Sequence, residues 1–168
     1  IANAVVIFGG GCTGITASDK GLIFTNYHCG FGSIQSVSAV EHDYITNGFV
    51  AHRTSEELPI EGLQVKYLRE TVDVTARVME AAAQEPDPMK KYGAIRSSCE
   101  QIAKEYGGDK HTSAEVIPFY ESNRYYLIVY DVFTDVRLAF APPASIGKFG
   151  RDTDNWMWPR HTIDYSVF

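Results

Sequence analysis

At 168 residues, 45% apolar and 21% charged, the chain is long enough to bury a core and too apolar to remain disordered. Its net charge of −6, with Lys and Arg scattered, excludes the basic footprint expected for nucleic acid or anionic lipid. No apolar run approaches the roughly 20 residues a membrane-spanning helix requires. Ten Tyr and nine Phe beside many Val and Ile favour β-structure.

The chain opens on IANAVVIFGGG, which reads as a strand and not as a secretory leader. Val5 to Phe8 is an apolar run stopped by Gly9, Gly10 and Gly11. Ile15-Thr16-Ala17 and Leu22 to Thr25 flank the turn Ser18-Asp19-Lys20-Gly21 and predict a hairpin, with Gly21 at the position that wants positive φ. Residues 63–78 alternate at Val72, Val74, Ala76 and Val78 and predict a strand with a bulge near Tyr67-Leu68. Asp87-Pro88 is an N-cap and N1 pair that opens a helix over about 88–106. Its apolar stripe is Met89, Tyr92, Ile95, Cys99, Ile102 and Tyr106, and Gly107-Gly108 stops it. Further strands are expected at Ala114 to Tyr120, Tyr125 to Phe133 and Val136 to Ala141. The last 22 residues are rich in Gly, Asp and Trp without clear period and read as a functional loop. The organisation expected is one β-rich lobe over 1–168 with a helical insertion at about 79–108.

His28, in TNYHCGFG, follows the hairpin and could be a general base, a metal ligand or a packed residue. Cys12 and Cys29 flank that hairpin, which would bring them within the roughly 5.5 Å Cα separation of a disulfide and clamp the backbone beside His28. Cys99, on the helical stripe, reads as a core thiol. A zinc site using Cys12, His28 and Cys29 is the rival, although C-x-x-C and H-x-x-x-H spacings are absent. A base histidine needs a carboxylate to fix its tautomer. Asp152 and Asp154 suit solvated turns, whereas Asp164 begins the strand-like run Asp-Tyr-Ser-Val-Phe. Neither Ser33 nor Ser145 sits in the G-x-S-x-G or G-D-S-G context of an activated nucleophile.

Two segments, GGGCTGITASDKGLIFTNYHCGFGSIQ and GKFGRDTDNWMWPRHTIDYSVF, closely resemble the N-terminal signatures of the bacterial dipeptidyl-peptidase 7 and 11 type serine exopeptidases. The resemblance implies a mainly β fold with a helical insertion: the first β-barrel lobe of a chymotrypsin-like double-barrel serine peptidase. It further implies that His28 is the triad base, that Asp164 is the triad acid, and that Asn155 and Trp156 grip the free amino terminus of a peptide substrate. The serine would come from a second barrel beyond this chain, so residues 1–168 alone should hydrolyse nothing. Expected partners are peptides with a free N-terminus and the rest of the peptidase, its second barrel and helical domain. A homodimer of the whole protein remains open, and neither nucleic acid nor a membrane span is expected. No metal or organic cofactor is implied, and the expected location is the periplasm or cell surface of a Gram-negative bacterium. A non-catalytic peptide-binding fragment or divergent relative is the alternative. Three positions depart from the family pattern: Tyr27 replaces a histidine, and Arg151 and Ile163 replace glycines.

Overall fold

The hairpin signals near the N-terminus give the structure its starting frame. In the computed structural model, which describes residues 4–147 and 163–168, β1 (Val5–Phe8) pairs antiparallel with β2 (Cys12–Thr16), setting Phe8 opposite Cys12. β3 (Ile23–Thr25) then pairs with β2. The turn between them has Gly21 at φ +82°. The Ser18 hydroxyl braces it, accepting from the backbone N–H groups of Lys20 at 3.3 Å and Leu22 at 3.1 Å. Serine does here what it does in turns generally, replacing a backbone acceptor with a side-chain one.

The described residues form two compact units, one running to Val65 and resuming at Phe133, the other Lys66–Val132. In the first unit, α1 (Tyr27–Val37), α2 (Tyr44–Asn47), β4 (Phe49–Val50), a single 3-10 turn at Thr54–Glu56 and β5 (Leu58–Pro59) follow β3. The second unit holds β6 (Val65–Asp73), α3 (Thr75–Gln84), α4 (Pro88–Tyr106), β7 (Thr112–Phe119) and β8 (Arg124–Phe133), which begins and ends at its borders. The chain returns to the first unit with β9 (Arg137–Leu138), β10 (Phe140–Ala141) and β11 (Ser166–Val167). The first unit's sheet runs β4-β10-β11-β3-β2-β1, with β5 and β9 as a separate antiparallel pair. Antiparallel strands are the framework of both units. The chain is mainly β with helical elements set among the strands.

Three sequence expectations change at this level. Residues 75–78 are helical, not extended: Asp73 Oδ1 accepts from Thr75 N–H at 2.9 Å, and Val74, Val78 and Ala82, spaced by four, turn inward as one stripe. The same valines satisfied a period of two as well, and the alanine-rich run TARVMEAAAQ tips the choice to helix. Residues 136–141 are not one strand, because β9 pairs with β5 and β10 pairs with β11 and β4, with Ala139 at the break donating to Val167 O at 2.8 Å. The stripe on α4 is shorter than expected. Ile95, Cys99 and Ile102 pack with Val74, Val78, Leu127 and Val129, while Met89 and Tyr92 are exposed. The start of that helix does follow its sequence: Pro88 occupies the first turn and Asp87 accepts from Met89 N–H at 2.9 Å.

Candidate active site

Pairing between the two ends of the chain builds the site. β11 lies antiparallel to β3 with Ser166 opposite Thr25 and Val167 opposite Phe24, and Ile23 and Phe168 exchange backbone hydrogen bonds at 2.7 and 2.9 Å. Continuing that register two residues past Thr25 sets Asp164 level with Tyr27 and therefore beside His28. The end of β3 turns directly into α1 at Asn26, an N-cap residue in extended conformation, so His28 stands in the first turn of the helix.

His28 Nδ1 lies 3.2 and 3.1 Å from the two carboxylate oxygens of Asp164. The backbone N–H of His28 also donates to Asp164 Oδ1 at 3.3 Å. A carboxylate can only accept, so the neutral ring carries its proton on Nδ1 and its lone pair on Nε2. The Asp164 side chain is 16% exposed and that of His28 is 43% exposed, so the acid is sheltered while the ring keeps one side toward solvent. Such a pair can take a proton at Nε2 and stabilise the resulting imidazolium through the carboxylate.

Two features hold the histidine in place. Cys29 is bridged to Cys12 with a Cα separation of 6.1 Å, which ties the first turn of α1 to the start of β2. Gly30, the next residue, is pressed against β11: a Cβ there would come within 2.5 Å of Ser166 Oγ and 3.0 Å of the Phe168 ring. Only glycine lets the helix approach the strand that follows Asp164. With both sulfurs of Cys12 and Cys29 spent in a bridge, neither can serve as a thiolate ligand. Among the described residues no group of three or more His, Cys, Asp or Glu could hold a metal ion.

Sequence reasoning missed one residue of this cluster. Asn26 Nδ2 donates to Asp164 Oδ2 at 3.1 Å and to Asp164 O at 3.4 Å. Its place two residues before the histidine was the available clue, but an asparagine ahead of a helix is ordinarily read as a cap. Asn155 and Trp156, as well as Arg151, Asp152 and Asp154, lie outside the described residues. Tyr27, where the family pattern has histidine, is 3% exposed, sits edge-on to Phe31 and lies beside Gly147, and burial pushes its phenol up. At Ile163, where the family pattern has glycine, the backbone N–H donates to Ile146 O at 2.7 Å. Ile163 also helps line an apolar cavity of about 330 Å³ with Phe49, Phe140 and Pro143. A second cavity, of about 480 Å³, is bordered by Gly10, Gly32, Ser36 and Gly62. Gly32 and Ser36 continue, in steps of four, the face of α1 that bears His28. Cys99 is a free, half-buried thiol in the other unit, pushed up by burial and thus poorly nucleophilic.

The model of the Peptidase S46 family matches residues 1–168. The chain belongs to the peptidase S46 family. Among S46 relatives, it is 60% identical over 168 residues to dipeptidyl-peptidase 7 of Porphyromonas gingivalis, covering all of this chain and 24% of that protein. It is 46% identical to the Asp/Glu-specific dipeptidyl-peptidase of Flavobacterium psychrophilum, again over all of this chain and 24% of the relative. The crystal structure of Porphyromonas endodontalis DPP11 in complex with substrate superposes with a TM-score of 0.85 at 44% identity, covering 99% of this chain and 25% of that one. The complex of the same enzyme with the dipeptide Arg-Glu gives 0.83 at 43% identity over 99% of this chain and 24% of that one. The chain thus spans about a quarter of the length of these S46 peptidases, matching their N-terminal part.

Proposed function

We propose that residues 1–168 are the histidine- and aspartate-bearing lobe of a chymotrypsin-like serine dipeptidyl-peptidase, which removes dipeptides from the free N-termini of peptides. The observation that carries this reading is the Asp164 carboxylate on His28 Nδ1, at 3.1 and 3.2 Å, in a chain whose relatives are named dipeptidyl-peptidases. His28 acts as the general base toward a serine supplied from outside this chain, Asp164 fixes the imidazole tautomer, and the serine attacks the scissile carbonyl. Residues 1–168 alone are then inactive. Asn155 accepts a hydrogen bond from the substrate ammonium and Trp156 walls it in, which limits cutting to two residues from the terminus. The Cys12–Cys29 bridge supports an oxidising compartment, the periplasm or cell surface.

The test uses the complete polypeptide that contains these residues. His28→Ala should abolish release of dipeptides from peptides with a free amino terminus. Asn155→Ala should lose roughly 10- to 150-fold in kcat/KM, the worth of a charge-assisted hydrogen bond of about 1.5–3 kcal/mol. N-acetylated peptides should be poor substrates of the parent and be little affected by Asn155→Ala. Equal cleavage of acetylated and free peptides by the parent would refute the exopeptidase reading.

A further inference from the structure

Asn26 occupies the N-cap of α1 without acting as a cap. At that position an asparagine side chain normally accepts a hydrogen bond from a backbone N–H of the first turn, yet the side chain of Asn26 makes no such bond. Its amide nitrogen is directed at Asp164, 3.1 Å from Oδ2 and 3.4 Å from the main-chain oxygen. Because a carboxylate only accepts, the NH2 end of the amide must face it.

The backbone of Asn26 is held for this task. Its carbonyl accepts from Cys29 N–H and Gly30 N–H, both at 3.1 Å, and from the hydroxyl of the fully buried Ser166 at 3.4 Å. These ties join it to the disulfide-bearing turn of the helix and to β11, the strand that follows Asp164. The Asp164 carboxylate thereby receives three N–H groups: the His28 ring on one side, the His28 backbone on Oδ1, and Asn26 on Oδ2. Without the last, the rotation of the carboxylate is left to the His28 backbone N–H and to the imidazole itself.

We propose that Asn26 is a positioning residue of this dyad, a side-chain donor that fixes the rotation of the Asp164 carboxylate so that it stays on His28 Nδ1. The proposal rests on the reading of His28 as the base. It assigns Asn26 no contact with substrate, so its loss acts on the chemical step and not on binding.

The discriminating substitution is Asn26→Asp in the complete polypeptide. Aspartate has the same shape and is as good an N-cap as asparagine, but it replaces the donor with a second negative acceptor facing Asp164. If Asn26 serves only the helix terminus, Asn26→Asp keeps parental activity and Asn26→Ala is the poorer variant. If Asn26 is a donor to Asp164, the order reverses. Asn26→Ala then loses roughly two- to tenfold in kcat with KM unchanged, the worth of one hydrogen bond, and Asn26→Asp loses more. The thermal midpoint and the Cys12–Cys29 bridge are checked in each, and should Asn26→Ala not fold, the comparison of Asn26→Asp with the parent decides alone. Parental kcat in Asn26→Asp, or a loss confined to KM, overturns the proposal. Asp164→Asn, run in parallel, separates this failure from the larger one. An inactive Asp164→Asn beside an unaffected Asn26→Asp sinks only the role of Asn26, whereas near-parental rates in Asp164→Asn sink the reading of the dyad itself.

Discussion

The two units of this chain are assembled in opposite ways. Lys66–Val132 is continuous in sequence: its helices lie side by side in the chain, β7 and β8 form a single hairpin with Thr112 opposite Asp131 and Phe119 opposite Arg124, and its core is one cluster around Val78, Ile102 and Leu127. The other unit is closed by pairing of distant segments, β11 with β3 and β10 with β4, and by a disulfide. The candidate site belongs to this second kind of structure, where His28 meets Asp164 across 136 positions of sequence. A dyad drawn from both ends of a chain depends on register and on bracing, while a local unit depends mainly on buried area.

If this distinction holds, the two units should respond to mutation in different measurable quantities. The largest effect is expected from Asp164→Asn in the complete polypeptide, which should fold as the parent does yet lose up to about 10⁴-fold in kcat, because the wrong imidazole tautomer faces the serine. Steady-state kinetics beside a thermal melt checks it. Next comes Leu127→Ala, which empties a fully buried position in the local unit. It should cost about 2–5 kcal/mol in denaturant unfolding, with kcat unchanged in the protein that remains folded. A matching fall in kcat would break the separation between the units. Replacing Cys12 and Cys29 together by serine opens a loop with a sequence separation of 17 and should cost about 3 kcal/mol. Unlike Leu127→Ala, this pair should also lower kcat, since the bridge anchors the residue after His28. The smallest effect belongs to the exposed ion pair Arg96–Glu100, at 2.9 Å with side chains 73% and 66% exposed. Arg96→Ala should change stability by no more than about 0.5 kcal/mol and leave kcat alone.

Legibility followed the reach of each signal along the chain and not the border between the units. The α4 helix was readable from Asp87-Pro88 at one end and Gly107 at the other, and the β2–β3 hairpin from Ser18 and Gly21, because caps and turns are decided by neighbouring residues. The helix that carries His28 was not. Gly30 and Gly32 each disfavour helix by about 1 kcal/mol relative to alanine, and the reason for Gly30 becomes apparent only when Ser166 and Phe168 are seen against it. The α3 segment was ambiguous for a different reason, since Val74 and Val78 fit both periods until the core of that unit selected one.

Taken alone, the sequence determined the class of the chain, its local turns and caps, and, through its resemblance to a peptidase family, which histidine and which aspartate to compare. It carried these because they depend on residue type and on spacing of a few positions. Only the tertiary structure decided that Asp164 Oδ1 and Oδ2 reach His28 Nδ1, and that Asn26 turns its amide to the carboxylate and not to its own helix. Each of these follows from the antiparallel register of β3 and β11, and a register joining residues 25 and 166 is fixed by packing across the whole unit, which no short stretch of sequence encodes.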